Sequence, residues 1–121
     1  MPKVMLIEDD EMMRSLLCTW LQMEGFEAIP INYGVNLTEI INAVRQEKPD
    51  LVLLDANLQK INGFDLLDHI RRDTSLKTAR VIMSSGEDYR NRSIESGADG
   101  FILKPYMPEE LTSMIRQMLG A

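Results

Sequence analysis

Residues 50–55 read Asp-Leu-Val-Leu-Leu-Asp, an unbroken apolar run set between two carboxylates. The run is too short for a helix and has no polar residue at alternate positions, so it suits a strand buried on both faces. Similar runs occur at Val4–Ile7, Val81–Met83 and Phe101–Leu103, with a weaker one around Ala28–Ile31. Between them the period changes. Met13, Leu16, Leu17, Trp20 and Leu21 recur at helical spacing until Gly25 stops them. Leu37, Ile40, Ile41 and Val44 form a second stripe that ends before Pro49, and Phe64, Leu67 and Ile70 form a third. Leu111, Met114, Ile115 and Met118 make the last, with Pro108 near its first turn, where a missing N–H costs nothing. Between Gly86 and Gly97 the clear apolar residues are Tyr89 and Ile94, which predicts a helix that is short or loosely held. Five alternations of strand and helix predict a doubly wound α/β fold, a five-stranded parallel sheet with five helices joined by right-handed crossovers.

The bulk properties narrow the functional classes. A length of 121 residues suits one domain, 1–121, and no composition shift or linker divides it. A net charge of −6 argues against a direct nucleic-acid footprint and against attraction to an anionic membrane surface. The single cysteine, Cys18, excludes an internal disulfide and fits a reducing compartment. No signal peptide is visible and no apolar run approaches the ~20 residues of a membrane span, so the expected location is cytoplasmic.

In doubly wound sheets, ligands gather outside the carboxyl ends of the strands. The first strand delivers Glu8 and Asp9 there, the third Asp55, the fourth Ser84 and Ser85, and the fifth Lys104 followed by Pro105. Neighbouring strands lie about 4.8 Å apart, so these acids crowd together and repel. A divalent cation relieves that repulsion, and an all-oxygen donor set suits Mg²⁺. A carboxylate beside a metal, a hydroxyl and a lysine is a coherent phosphoryl-acceptor site, with Asp55 as the nucleophile.

The stretches LIEDDEMMR, DLVLLDANLQKINGFDLL, VIMSSG and GADGFILKPY, in that order, give the chain an end-to-end resemblance to response-regulator receiver domains of two-component signalling. The resemblance implies a flavodoxin-like strand order 2-1-3-4-5 and phosphorylation of Asp55. It implies Mg²⁺ held by Asp9, Asp55 and the main-chain carbonyl of Asn57, with Glu8 acting through water. It assigns Ser85 and Lys104 to the phosphoryl group and Phe101 to an aromatic switch that turns inward on activation. Asn57 and Glu87 take the positions that tune phosphoryl lifetime, and their pairing implies fast self-catalysed dephosphorylation. The implied partners are a sensor histidine kinase or histidine phosphotransfer protein and a downstream protein or effector domain. They meet the surface formed by the fourth helix, fifth strand and fifth helix, and a phosphorylation-linked homodimer is among the outcomes allowed. The chain departs from the family at Gln59, where proline is frequent. The Ser85–Gly97 segment is about three residues shorter than usual, nearly one helical turn. The last helical pattern runs to Leu119-Gly120-Ala121.

Other residues have plainer readings. Asp10 and Glu11 suit the entrance of the first helix, where negative charge is favoured. Ser84 suits packing, His69 a solvated polar face, and Cys18 lies off the apolar stripe of its helix. An aspartate-nucleophile phosphatase would want a second acid at position 57, where the chain has Asn57. A flavodoxin-like cofactor binder would want a phosphate loop where the first acids stand. A non-phosphorylated interaction module would not need Glu8, Asp9, Asp55, Ser85 and Lys104 together.

Overall fold

A computed structural model describes residues 1–31 and 36–120 of the chain. The expected domain end, Ala121, lies outside the described residues. The elements alternate as predicted: β1 (Lys3–Ile7), α1 (Glu11–Met23), β2 (Glu27–Pro30), α2 (Leu37–Glu47), β3 (Leu51–Asp55), α3 (Gly63–Arg72), β4 (Arg80–Ser85), α4 (Arg90–Glu95), β5 (Gly100–Leu103) and α5 (Pro108–Leu119). The strands form one sheet in the order β2-β1-β3-β4-β5, and every pairing is parallel. Proline within a strand is tolerated at a sheet edge, and Pro30 lies in the edge strand β2.

Side chains alternate across a strand, so unbroken apolar strands feed two cores. Val4, Leu6, Leu51, Leu53, Ile82 and Ile102 point to one face, where α1 contributes Leu17 and Leu21 and α5 contributes Leu111 and Ile115. Met5, Ile7, Val52, Leu54, Val81, Met83 and Phe101 point to the other, covered by Ile40 and Val44 of α2 and by Phe64, Leu67 and Ile70 of α3. Each fully buried aliphatic side chain is worth about 1.5–3 kcal/mol of transfer free energy, so the double-faced burial of β1, β3 and β4 holds the centre of the sheet.

The helical stripes need three corrections. Leu16, expected inside, is 57% exposed, whereas Cys18, placed off the stripe, is half-buried against the core face shared by α1 and α5. Leu66 is fully buried beside Leu67. In α4 the apolar residue Ile94 is 50% exposed and Ser93 takes the buried position. The helix is short, as predicted, at six residues. It is also well anchored. The Arg92 guanidinium lies 3.9 Å from the centroid of the Phe64 ring, which meets Tyr89 edge-on at 5.6 Å. At the far end Arg71 of α3 donates to the Gly97 carbonyl at 2.7 Å and pairs with Asp99 at 2.8 Å. Polar stems and cation–π contacts substitute here for an apolar stripe.

Candidate phosphoacceptor site

Register brings the strand exits together. Ile7 is paired with Leu54 and Asp55 with Ser84, so Glu8, Asp55 and Ser85 emerge side by side. Arg14 of α1 donates to the Glu8 carbonyl at 2.8 Å, fixing the turn that follows β1. Asp10 caps α1 by accepting from the Met13 N–H at 3.1 Å, and Glu11 sits in the first turn. These two acids take the helix-entrance place read for them.

Glu8, Asp9 and Asp55 each offer one oxygen within 4.8 Å of the others. Glu8 is 3% and Asp55 5% exposed. Lys104 reaches both, with Nζ 2.8 Å from Glu8 Oε2 and 3.1 Å from Asp55 Oδ2. Burial pushes the Glu8 carboxyl above its ordinary range, and the neighbouring Asp55 charge adds to the rise, while the Lys104 hydrogen bond opposes it. Burial works against the Lys104 charge, but the Glu8 hydrogen bond and the charges of Glu8 and Asp55 together raise its pKa. The lysine is therefore a firmly charged counter-ion for two buried carboxylates.

Each acid of the trio also receives one main-chain N–H. Asp10 donates to Glu8 Oε1 at 3.2 Å, Gln59 to Asp9 Oδ2 at 2.8 Å and Asn57 to Asp55 Oδ1 at 2.9 Å. Ser85 is fully buried, and its oxygen accepts from the Asn57 side-chain amide at 2.7 Å and the Glu87 N–H at 3.1 Å. Both acceptor positions being used, the hydroxyl proton is what Ser85 has left to offer. The Glu87 carboxylate, in turn, accepts from the Tyr89 hydroxyl at 2.6 Å. Asn57 and Glu87 thus converge on Ser85, and Glu87 also holds the Tyr89 hydroxyl.

Phe101 is already inward, 5% exposed, with the Arg90 guanidinium 5.9 Å from its ring centroid. The inward turn implied by the sequence resemblance has no exposed starting point in this conformation. Ser84 is buried, and His69 is exposed on α3. Tyr106 was not singled out from the sequence. Its buried hydroxyl has no hydrogen-bond partner among the described residues. Burial, with the nearby charges of Glu8 and Asp55, pushes the phenol pKa well up. Its position directly after Lys104-Pro105 was the available signal.

The chain belongs to the response-regulator receiver domain family: the family model matches residues 4–116. It is 33% identical over 117 residues to the DNA-binding response regulator MtrA of Mycobacterium tuberculosis, covering 97% of this chain and 50% of MtrA. The chain spans about half the length of the curated relatives it matches. Two solved structures show the same fold. The chemotaxis response regulator CheY4 of Vibrio cholerae superposes with a TM-score of 0.86 at 22% identity, covering 97% of this chain and 98% of CheY4. The receiver domain of sensor histidine kinase PA1611 from Pseudomonas aeruginosa, described with a magnesium ion in its active-site cleft, gives 0.85 at 16%, covering 99% of this chain and 98% of that one. No helix of the described residues is long and apolar enough to cross a membrane.

Proposed function

We propose that residues 1–121 form one receiver domain that accepts a phosphoryl group on Asp55 from the phosphohistidine of a kinase or phosphotransfer protein, with Mg²⁺ as cofactor. The observation that carries this reading is the meeting of Asp55 with Lys104 at 3.1 Å beside the acids Glu8 and Asp9, next to the strand exit that delivers Ser85. An Asp55 carboxylate oxygen attacks phosphorus as the phosphorus–nitrogen bond breaks and the imidazole leaves, giving an acyl phosphate. Lys104 then neutralises phosphoryl charge in place of the carboxylate charge it meets now, and Ser85 donates its remaining proton to a phosphoryl oxygen.

The donor set fits a hard divalent cation. All candidate donors are oxygens, and Asp9 Oδ1 accepts no hydrogen bond among the described residues. Asp9, Asp55 and the Asn57 carbonyl would hold it, with Glu8 behind a water. When bound, Mg²⁺ supplies charge neutralisation for the attacking carboxylate and the transferring phosphoryl oxygens.

Phosphorylation would stabilise the arrangement found here, with Ser85 and Phe101 inward, over others in a pre-existing equilibrium, and so set the α4-β5-α5 surface. That surface exposes Ile94, Leu103 and Met107, apolar groups available to a downstream protein, an effector domain or a second copy. Loss of the phosphoryl group by self-catalysed hydrolysis, tuned at Asn57 and Glu87, would reset it. Incubation with a small phosphodonor and Mg²⁺ tests the reading by intact mass. Wild type should gain one phosphoryl group and Asp55→Asn none; a folded wild type that gains none overturns it.

A further inference from the structure

The three acids of the site are not held alike. Glu8 and Asp55 each have one oxygen on a main-chain N–H and the other on Lys104. Asp9 does not share the lysine. It is half-buried, and what orients it is the Gln59 N–H, 2.8 Å from Oδ2 and fifty residues away along the chain. Gln59 lies in the loop between β3 and α3, which is closed on itself by a bridge between Asn57 and Asn62 and by the Gly63 N–H donating to the Ala56 carbonyl at 3.1 Å. The loop therefore presents the 59 amide from a fixed frame.

We propose that Gln59, through its main-chain N–H, is a positioning residue for the cation-binding carboxylate of Asp9. The contact occupies Oδ2, and Oδ1 accepts no hydrogen bond among the described residues, so that one oxygen is committed to orientation and the other is available for metal. A carboxylate free to rotate would lose that orientation each time it released the ion. Ordering it beforehand removes an entropic cost from binding, and partners of this kind typically change metal affinity by 10–100-fold. The donor is backbone, so the identity of the side chain at 59 is irrelevant to the effect, except for proline, which has no N–H. This inference rests on the metal site of the proposed function.

Mg²⁺ titration by calorimetry of wild type, Gln59→Ala and Gln59→Pro separates the two ideas. If wild type binds no Mg²⁺, the metal site itself fails. If it binds, Gln59→Ala should match it within about twofold and Gln59→Pro should bind about tenfold more weakly. Equal affinity in the proline variant, or equal loss in both variants, overturns the positioning role. Should Gln59→Pro fold poorly, the wild-type Gln59 amide proton decides by NMR. It should be shifted downfield and protected from exchange with and without saturating Mg²⁺. An amide that exchanges freely in both states overturns the proposal.

Discussion

The side-chain amide of Asn57 donates to the hydroxyl of Ser85 across 2.7 Å, joining the residue two past Asp55 to the hydroxyl at the exit of β4. The contact both fixes the hydroxyl oxygen and holds Asn57 at the mouth of the site, where its amide can also orient a water. One oriented hydrogen bond to an attacking water is worth about 1.4 kcal/mol, or roughly tenfold in rate. Asn57→Met should therefore lengthen the half-life of the Asp55 phosphoryl group about tenfold, read by intact mass after removal of the phosphodonor. A half-life unchanged from wild type would remove Asn57 from the hydrolysis step.

The buried Glu8 carboxyl makes the site costly to the metal-free protein. Its pKa is raised by burial first, with the Asp55 charge adding to the rise, above an ordinary value of 4.5. The folded state thus holds that proton more tightly than the unfolded state. The stabilisation this gives is fully present below the unfolded pKa and is lost as pH rises through the folded one. At pH 7 the ionised group is a net penalty. Glu8→Gln keeps the shape and removes the charge, so without divalent cation it should gain about 1 kcal/mol in urea unfolding at pH 7. The gain should shrink as pH is lowered toward 4.5. A variant less stable than wild type at pH 7 would contradict this account.

Two glycines differ in what a methyl group would meet. At Gly63, the first residue of α3, a Cβ would collide with the Asp55 carbonyl and lie 2.6 Å from Ala56 Cα, both backbone of the acceptor segment. At Gly100 the collision is with the Met118 methyl, the end of a flexible side chain. Gly63→Ala should cost about 3 kcal/mol, since backbone must move, and Gly100→Ala under about 1 kcal/mol. Equal costs in thermal or urea unfolding would show that the β3–α3 junction is less tightly packed than the distances imply.

Much of this molecule is written in its periodicities, and the exceptions share a cause. The runs Val4–Ile7 and Leu51–Leu54 are legible because both faces of their strands are covered, which leaves no polar residue to interrupt them. Glu8, Asp55, Ser85 and Lys104 are legible because strand exits of a parallel sheet converge: Lys104 joins Glu8 and Asp55, and Ser85 leaves the neighbouring strand tied to Asn57. Contacts made by backbone are not legible: nothing about glutamine says that the 59 amide will meet Asp9. Leu16 was misplaced because a helix wide enough for several apolar rows buries only those that face the sheet, and its row faces solvent. The hold on α4 escaped for a further reason, that it comes from arginines, which hydropathy counts as surface.

That hold yields the last prediction. Arg92 stacks on Phe64 at 3.9 Å and lies 5.8 Å from the Tyr89 ring, so α4 is tied to α3 through an aromatic ring rather than through its own core stripe. Exposed cation–π pairs contribute roughly 0.5–1 kcal/mol. A double-mutant cycle with Arg92→Ala and Phe64→Leu should give a coupling of about 1 kcal/mol in urea unfolding, and additive losses would deny the pair an energetic role. The consequence for α4 is separately measurable. The Ser93 N–H, which donates to the Tyr89 carbonyl at 2.8 Å in the helix's first turn, should exchange several-fold faster in Arg92→Ala. Amides of β3, buried on both faces, should keep their protection beyond the small global loss. Selective loosening of that kind would make the arginine–phenylalanine contact one of two holds on α4, beside that of Arg71 on Gly97 and Asp99, and so a control on the proposed output surface.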